Sequence, residues 1–257
     1  MTTDSRAAEI NTGLSDFDAL AGPLPRGQIT AAVGRTSSGL TAFALSVARH
    51  NDEIGHQVAF ASFEGGTDTI MGNLLAAHTS VNVDRPHSIN SGRRARIDRA
   101  REAMERSNLL MWSAAQKQGR PFTALMAQLN AQPAVQFLIV DGYSQASYKE
   151  PFEASTFAEL EKFARERDVA VLVTAHLSAD PDLPEAEPPV LEELSRFEQP
   201  LAKAPAAVIL HRPDRDGTVP QRRGEVDLIA AHGWSGTGTA TVRFEPEYHR
   251  FVDLPNT

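Results

Sequence analysis

The octet Gly34-Arg35-Thr36-Ser37-Ser38-Gly39-Leu40-Thr41 follows an apolar run, Ile29 to Val33, and leads into the helical stretch Ala42-Phe43-Ala44-Leu45-Ser46-Val47-Ala48. Strand, glycine-bounded loop and helix are the setting in which backbone N–H groups turn inward on a phosphate, helped by the positive end of the helix dipole. Such a loop ordinarily adds a lysine that reaches the outer phosphates and a Ser or Thr whose hydroxyl holds magnesium. Thr41 supplies the hydroxyl, but position 40 is leucine. The same residue types also suit a plain strand-to-helix turn, where turning and capping are reason enough for them. Carboxylates close two other apolar runs: Glu64 follows Phe60-Ala61-Ser62-Phe63, and Asp141 follows Phe137-Leu138-Ile139-Val140. A strand-end carboxylate can orient metal-bound water or polarise an attacking water, or it can cap a neighbouring helix. His176, after Val171-Leu172-Val173-Thr174-Ala175, can donate to a phosphate or be satisfied by packing.

Short β-branched runs alternating with amphipathic stretches must position these groups, and that alternation predicts an α/β fold with a mostly parallel sheet between helices. The expected strands are Ile29–Val33, Gln57–Phe63, Gln136–Val140, Val169–Thr174 and Ala206–Leu210. Helices are expected over Leu40–His50, Thr67–Ala77, Arg94–Arg106, Pro121–Asn130 and Thr156–Glu166. Glu225–Ala231, Thr239–Phe244 and Arg250–Val252 read as a meander that extends the sheet antiparallel. Asp180–Pro189, with four acidic residues and four prolines, reads as an exposed loop, as does Ser144–Ser155.

At 257 residues and 41% hydrophobic the chain can bury one sizeable core, so a single domain over 1–257 is expected. The lack of cysteine removes disulfides and thiolate metal sites, and with no apolar leader or membrane-length run a reducing cytoplasm is the expected setting. A net charge of -8 supplies no general field for nucleic acid, although an acidic ring can still enclose a basic channel.

Several of these segments, taken in order, resemble the RecA-like motor of the DnaB-type hexameric replicative helicases. Asn11-Thr12-Gly13-Leu14-Ser15-Asp16-Phe17-Asp18-Ala19-Leu20 is similar to the family's TG-aromatic-x-x-LD lead-in, residues 34–41 to its GRPSMGKT loop, and Phe60–Glu64 to its FSLE strand end. Phe137–Gln145 resembles the IVVDYLQL segment with one residue inserted, and Val171–Ser178 the ALSQLSR strand with His176 in place of glutamine. Residues 223–231 and 248–254 resemble the last strands, so the likeness runs over about residues 10–254 with nothing upstream to match the family's N-terminal helical domain.

The resemblance implies a P-loop NTPase in which Gly34, Arg35, Ser37, Ser38, Gly39, Leu40 and Thr41 surround the nucleotide. In it Thr41 and Asp141 hold magnesium, Glu64 polarises the attacking water and His176 takes the phosphate-sensing place. It also exposes departures. Leu40 replaces a charge-assisted donor worth roughly 1.5–3 kcal/mol in binding, at a position whose side chain is expected to face the phosphates. The family's KHRNGPTG segment, which sends a lysine and an arginine finger into the neighbouring subunit's site, corresponds to Ala231-His232-Gly233-Trp234-Ser235-Gly236-Thr237-Gly238, with Ala231 and Gly233 at the cationic places. A finger is worth about 10³ to 10⁵ in rate. Trp234 beside it reads equally as an interface anchor or a packed loop residue. The family's DNA-facing loop corresponds to the acid-rich Tyr148–Ala154, and none of the four lysines, Lys117, Lys149, Lys162 and Lys203, adjoins residue 40.

The sequence therefore reads as a RecA-like domain with a degenerate phosphate loop. The expected protein is a catalytically impaired pseudo-ATPase that binds ATP and Mg2+ weakly if at all. It would act by self-association or through a protein partner, with weak or absent DNA binding and no membrane. The alternatives are an active ATP-dependent DNA helicase that uses a non-standard cation, Arg35 or one from a partner, and a structural subunit of a mixed ring.

Overall fold

The computed structural model describes residues 9–83, 89–114, 121–142, 154–177, 187–193, 199–215, 217 and 219–255. Five apolar runs form the parallel centre of a nine-stranded sheet: β1 (Ile29–Gly34), β2 (Val58–Ser62), β4 (Phe137–Asp141), β5 (Ala170–His176) and β6 (Ala206–His211). Strands covered on both faces read as continuous apolar runs, and β1, β2, β4 and β6 are buried at every position. Successive side chains point to opposite faces, so β1 gives Ile29, Ala31 and Val33 to one core and Ala32 to the other.

A parallel strand, β3 (Leu109–Ser113), forms one edge. The last three strands, β7 (Glu225–His232), β8 (Gly238–Glu245) and β9 (Arg250–Asp253), run antiparallel to their neighbours, as the meander reading anticipates. The strand order is β3-β2-β4-β5-β1-β6-β7-β8-β9. β8 alternates exposed and buried residues over much of its length, the mark of a strand with one wet face.

Helix α2 (Leu40–Glu53) springs from β1, and its run of Ala, Phe, Leu and Val buries residues 40 and 42–48 against the sheet. α3 (Thr67–Thr79) follows β2, α5 (Pro121–Asn130) precedes β4, and α6 (Ala154–Arg167) precedes β5. α6 starts inside the stretch expected to be a loop through Ser155, while residues 144–153 lie outside the described residues. α4 (Ser91–Met104) begins three residues before the expected Arg94, because the Asn90 side chain accepts the Arg93 N–H at 2.9 Å and caps it. The small helix α7 (Gln199–Ala202) precedes β6.

Besides α7, two larger elements go beyond what the sequence predicts. Strand β3 follows a charged helix, is only five residues long and is mostly half-buried, so it carries little pattern. Helix α1 (Ser15–Ala21) is nucleated by Asp18, whose carboxylate accepts the Thr12 N–H, the Thr12 hydroxyl and the Gly13 N–H at 2.7–2.9 Å. Among the described residues no helix is long and apolar enough to cross a membrane.

Candidate functional site

The C-terminal ends of β1, β2, β4, β5 and β6 all open on one edge of the sheet. In open α/β sheets ligands bind in the crevice beyond these ends. Gly34, Glu64, Asp141, His176 and Arg212 stand at or just past them. This topology brings together the residues picked out at positions 34–41, 64, 141 and 176.

The loop between β1 and α2 is tightly wound. Ser37 adopts φ 67° and Gly39 φ 96°, the latter as the residue preceding α2. A Cβ at Gly34 would lie 2.4 Å from Ser38 Oγ, and one at Gly39 would press on the Phe244 and Phe251 rings, so both glycines are required by close approach. Phe244 and Phe251 stack with centroids 4.9 Å apart, and Phe251 meets Phe43 edge-on, giving the loop an aromatic floor. Leu40 is 3% exposed and belongs to the same core. Its side chain packs among these apolar neighbours, where leucine gains from burial.

Asp141 is the buried acid of the site. Its carboxyl accepts from Thr174 Oγ1 at 2.8 Å and from the Thr41 hydroxyl, which lies 3.2 Å from both carboxyl oxygens. Burial pushes its pKa up to about 6, and Glu64 pushes the same way. The hydroxyls of Thr174 and Thr41, together with His176, oppose the rise. A buried carboxylate and an adjacent hydroxyl are hard oxygen donors of the kind magnesium takes, two at a time, with water and phosphate completing its shell. Among the described residues no group of three or more His, Cys, Asp or Glu side chains could hold a metal by itself.

Glu64 pairs with His176, Oε1 to Nε2 at 3.3 Å, and both side chains remain about one-third exposed. Gly142 makes room for Glu64: at φ 79°, a Cβ there would come 2.4 Å from Glu64 Cγ. The Gly142 N–H donates to Thr174 Oγ1 at 2.9 Å. Thr174 and Gly142 thus join the site although sequence reasoning passed over them. The available signals were a threonine inside an apolar strand and the residue inserted after Asp141.

Arg35 turns away from the loop. Its guanidinium makes a bidentate pair with Glu193, Nε to Oε2 at 3.2 Å and Nη2 to Oε1 at 3.1 Å, and also donates to the Glu187 carbonyl at 3.1 Å. The two side chains are only 10% and 7% exposed. From the far side, Arg215 Nη1 donates to the Thr36 carbonyl at 2.7 Å and Arg212 Nη1 to the Ser37 carbonyl at 3.3 Å.

Ala231 lies in β7, and Gly233 heads the turn into β8. A Cβ at Gly233, where φ is 77°, would fall 1.8 Å from the Pro205 carbonyl oxygen and 2.6 Å from Ala206 Cα. The turn is held on both sides. His232 Nε2 lies 2.7 Å from the Ala204 carbonyl, Trp234 Nε1 donates to the Ala207 carbonyl at 2.8 Å, and the Ser235 N–H donates to the Ala21 carbonyl at 2.9 Å. Trp234 also meets Phe17 of α1 edge-on at 5.3 Å, so it is packed within the chain. The candidate DNA-facing residues 148–153 lie outside the described residues.

The glycine-bounded loop between β1 and α2, and the acid at the end of β4 on a 3-2-4-5-1 parallel core, define the RecA-like P-loop fold. Two of the solved structures that match it serve for comparison. One, an ATPase domain, superposes with TM-score 0.83 over 98% of this chain and 94% of that one at 22% identity. The other, a DnaB-like replicative helicase described with its interactions with primase, gives TM-score 0.84 over 99% of this chain and 65% of that one, also at 22% identity. Residues 9–253 match the DnaB-like helicase C terminal domain family, and the chain belongs to it. Among its relatives, Replicative DNA helicase DnaC of Bacillus subtilis (strain 168) is 22% identical over 95% of this chain and 56% of its own length. Replicative DNA helicase DnaB of Leifsonia xyli subsp. xyli (strain CTCB07) is 26% identical over 98% and 57%. The chain therefore spans a little over half the length of these relatives.

Proposed function

We propose that this domain keeps a nucleotide-shaped pocket but hydrolyses ATP poorly or not at all, and works as a nucleotide- or protein-binding regulatory module. Gly34, Ser37, Ser38 and Gly39 form the cradle and Thr41 with Asp141 holds magnesium, which when bound would neutralise charge on the phosphates. Glu64 stands where an attacking water would be polarised, with His176 holding its carboxylate. The observation that carries the reading is the packing at the cationic positions: Leu40 lies in the core, and Gly233 has no room for a side chain. Arg35, the in-chain substitute suggested by the sequence, is committed to Glu193. Without a cation on the outer phosphates or a finger in trans, the charge that develops during phosphoryl transfer is poorly stabilised.

Like its relatives' motors, the domain is proposed to associate with copies of itself or with a protein partner through its RecA-type faces, and to bind single-stranded DNA weakly. A second reading, a slow ATPase, draws support from the intact Thr41, Asp141 and Glu64 arrangement. Steady-state ATP hydrolysis by the purified chain, with and without single-stranded DNA, separates the two. The proposal expects negligible magnesium-dependent turnover. A rate of about one per second, at the low end of ordinary enzymes, abolished by Glu64→Gln, would establish the second reading instead.

A further inference from the structure

Helix α4 carries its charge against the local rules of helix stability. Between Arg93 and Arg106 stand six arginines and three acids, Asp98, Glu102 and Glu105, whereas the whole chain has a net charge of -8. The positive end of the helix dipole favours an acid in the first turn, yet none stands there and Arg93 and Arg94 do. Arg94, Arg96, Arg99 and Arg101 are exposed and form no ion pair among the described residues. Elsewhere the chain closes such pairs: Arg49 meets Glu53 four positions on at 2.9 Å, and Lys162 meets Glu166 at 3.9 Å. Arg94 with Asp98 and Arg101 with Glu105 have the same spacing and stay apart. α4 packs on α3, and Ala100 is its one buried residue, flanked by half-buried Ile97 and Met104.

We infer that the arginine rows of α4 are a docking surface for an acidic polypeptide segment of a partner protein. The inference rests on the protein-binding half of the reading above and not on the nucleotide pocket. With about 3.6 residues per turn, Ala100 marks the inward face, and Asp98, Glu102 and Glu105 fall in a row on the outward face. Arg94 and Arg101 line one flank of that row, and Arg96 and Arg99 line the other. A guanidinium fork receives a carboxylate on two parallel N–H bonds, and none of these four has to give up an ion pair first. A nucleic-acid backbone fits less well. A continuous line of phosphates along the helix would meet the acidic row, α4 has no aromatic side chain on which a base could stack, and the net charge of the chain repels a polyanion. Separate carboxylates on an extended segment reach the two flanks individually and leave the acidic row to water.

The test is fluorescence anisotropy of a short labelled peptide of alternating Glu and Ser against the intact chain at low salt, beside labelled single-stranded and duplex oligonucleotides. The wild type should bind the peptide, and binding should weaken as salt is raised. Arg96→Glu/Arg99→Glu should lose roughly tenfold in affinity. The neutral Arg96→Gln/Arg99→Gln pair should lose less, and it carries the test if the reversed pair does not fold by circular dichroism. Arg165→Glu/Arg243→Glu changes the net charge by the same amount at two exposed arginines, on α6 and β8, and should keep most of the affinity. Equal losses from the two reversed pairs would make the attraction one of net charge and overturn the inference. So would a wild type that does not bind the peptide, or one that binds an oligonucleotide more tightly through the same arginines. ATP hydrolysis by the same wild-type sample is read separately: turnover with intact peptide binding would overturn the pseudo-ATPase reading and leave this inference standing.

Discussion

Replacing Gly233 by alanine separates a lost charge from a lost space. At Gly233 the added Cβ would fall 1.8 Å from the Pro205 carbonyl oxygen, a backbone atom that cannot swing aside, and the residue holds φ 77°. The left-handed backbone costs a non-glycine residue roughly 1–2 kcal/mol, and forcing extra volume into packed structure typically costs about 1–3 kcal/mol more. Gly55 is the internal control. It holds φ 97°, yet nothing lies within 4 Å of its hypothetical Cβ, so Gly55→Ala carries the backbone term alone. For a chain of this size each kcal/mol moves the melting midpoint by about 2–4 °C. Thermal unfolding followed by circular dichroism should therefore show Gly233→Ala lower by roughly 10 °C and Gly55→Ala by roughly 5 °C. Equal shifts would refute the reasoning, since they would mean that the β7–β8 turn moves freely off Pro205 and could carry a side chain. The functional corollary is that Gly233→Arg should be destabilised like Gly233→Ala and gain no ATP hydrolysis.

Asp141→Asn should stabilise the metal-free chain at pH 7.5. With the folded pKa raised from 3.8 to about 6, the native state holds more protons than the unfolded state between those values, so stability falls as pH rises through this window. At about 1.4 kcal/mol per pKa unit the advantage of the asparagine should approach 3 kcal/mol above the window and vanish below pH 4; urea midpoints across pH 3.5–8 that track together in both proteins would rule it out. Glu193→Ala leaves Arg35 buried without its carboxylate and should cost about 3–5 kcal/mol in urea unfolding. A loss below about 1 kcal/mol, the value of an exposed pair, would mean that the segment at 187–193 does not hold the loop. Leu40→Lys gives up part of a buried leucine, so it should fold with reduced stability, gain affinity for a fluorescent ATP analogue and show no rise in turnover. A folded variant without that gain would mean the loop is not shaped for phosphate.

The parallel core was legible because its strands are buried on both faces. Continuous apolar runs such as Phe137–Val140 and Val171–Val173 have few other places to go, and the glycine loop, Asp141 and Glu64 follow such runs directly. Element ends were less legible, since they are set by contacts remote in sequence. β5 continues to His176 because β1 pairs with it through Gly34, and α4 starts early on the Asn90 cap. β3 was missed because an edge strand of half-buried residues lacks both the continuous and the alternating pattern.

At the site, residue types were readable and their partners were not. Arg35 lies within the loop in sequence and so looked available, but its carboxylate partner lies 158 positions away and faces it only once the segment at 187–193 has folded back. Arg215 reaches the loop across 179 positions and left no local trace of doing so. Gly233 read as a missing charge, whereas the fold makes it a missing volume. His232, Trp234 and Ser235 pin the turn to β6 and α1, and glycine is what lets it lie against Pro205. A cationic side chain therefore cannot be placed here by one substitution. The turn would first have to come off Pro205, which would break the Trp234 bond to Ala207 and the edge-on contact with Phe17, so the packing of the domain itself keeps residue 233 without a side chain.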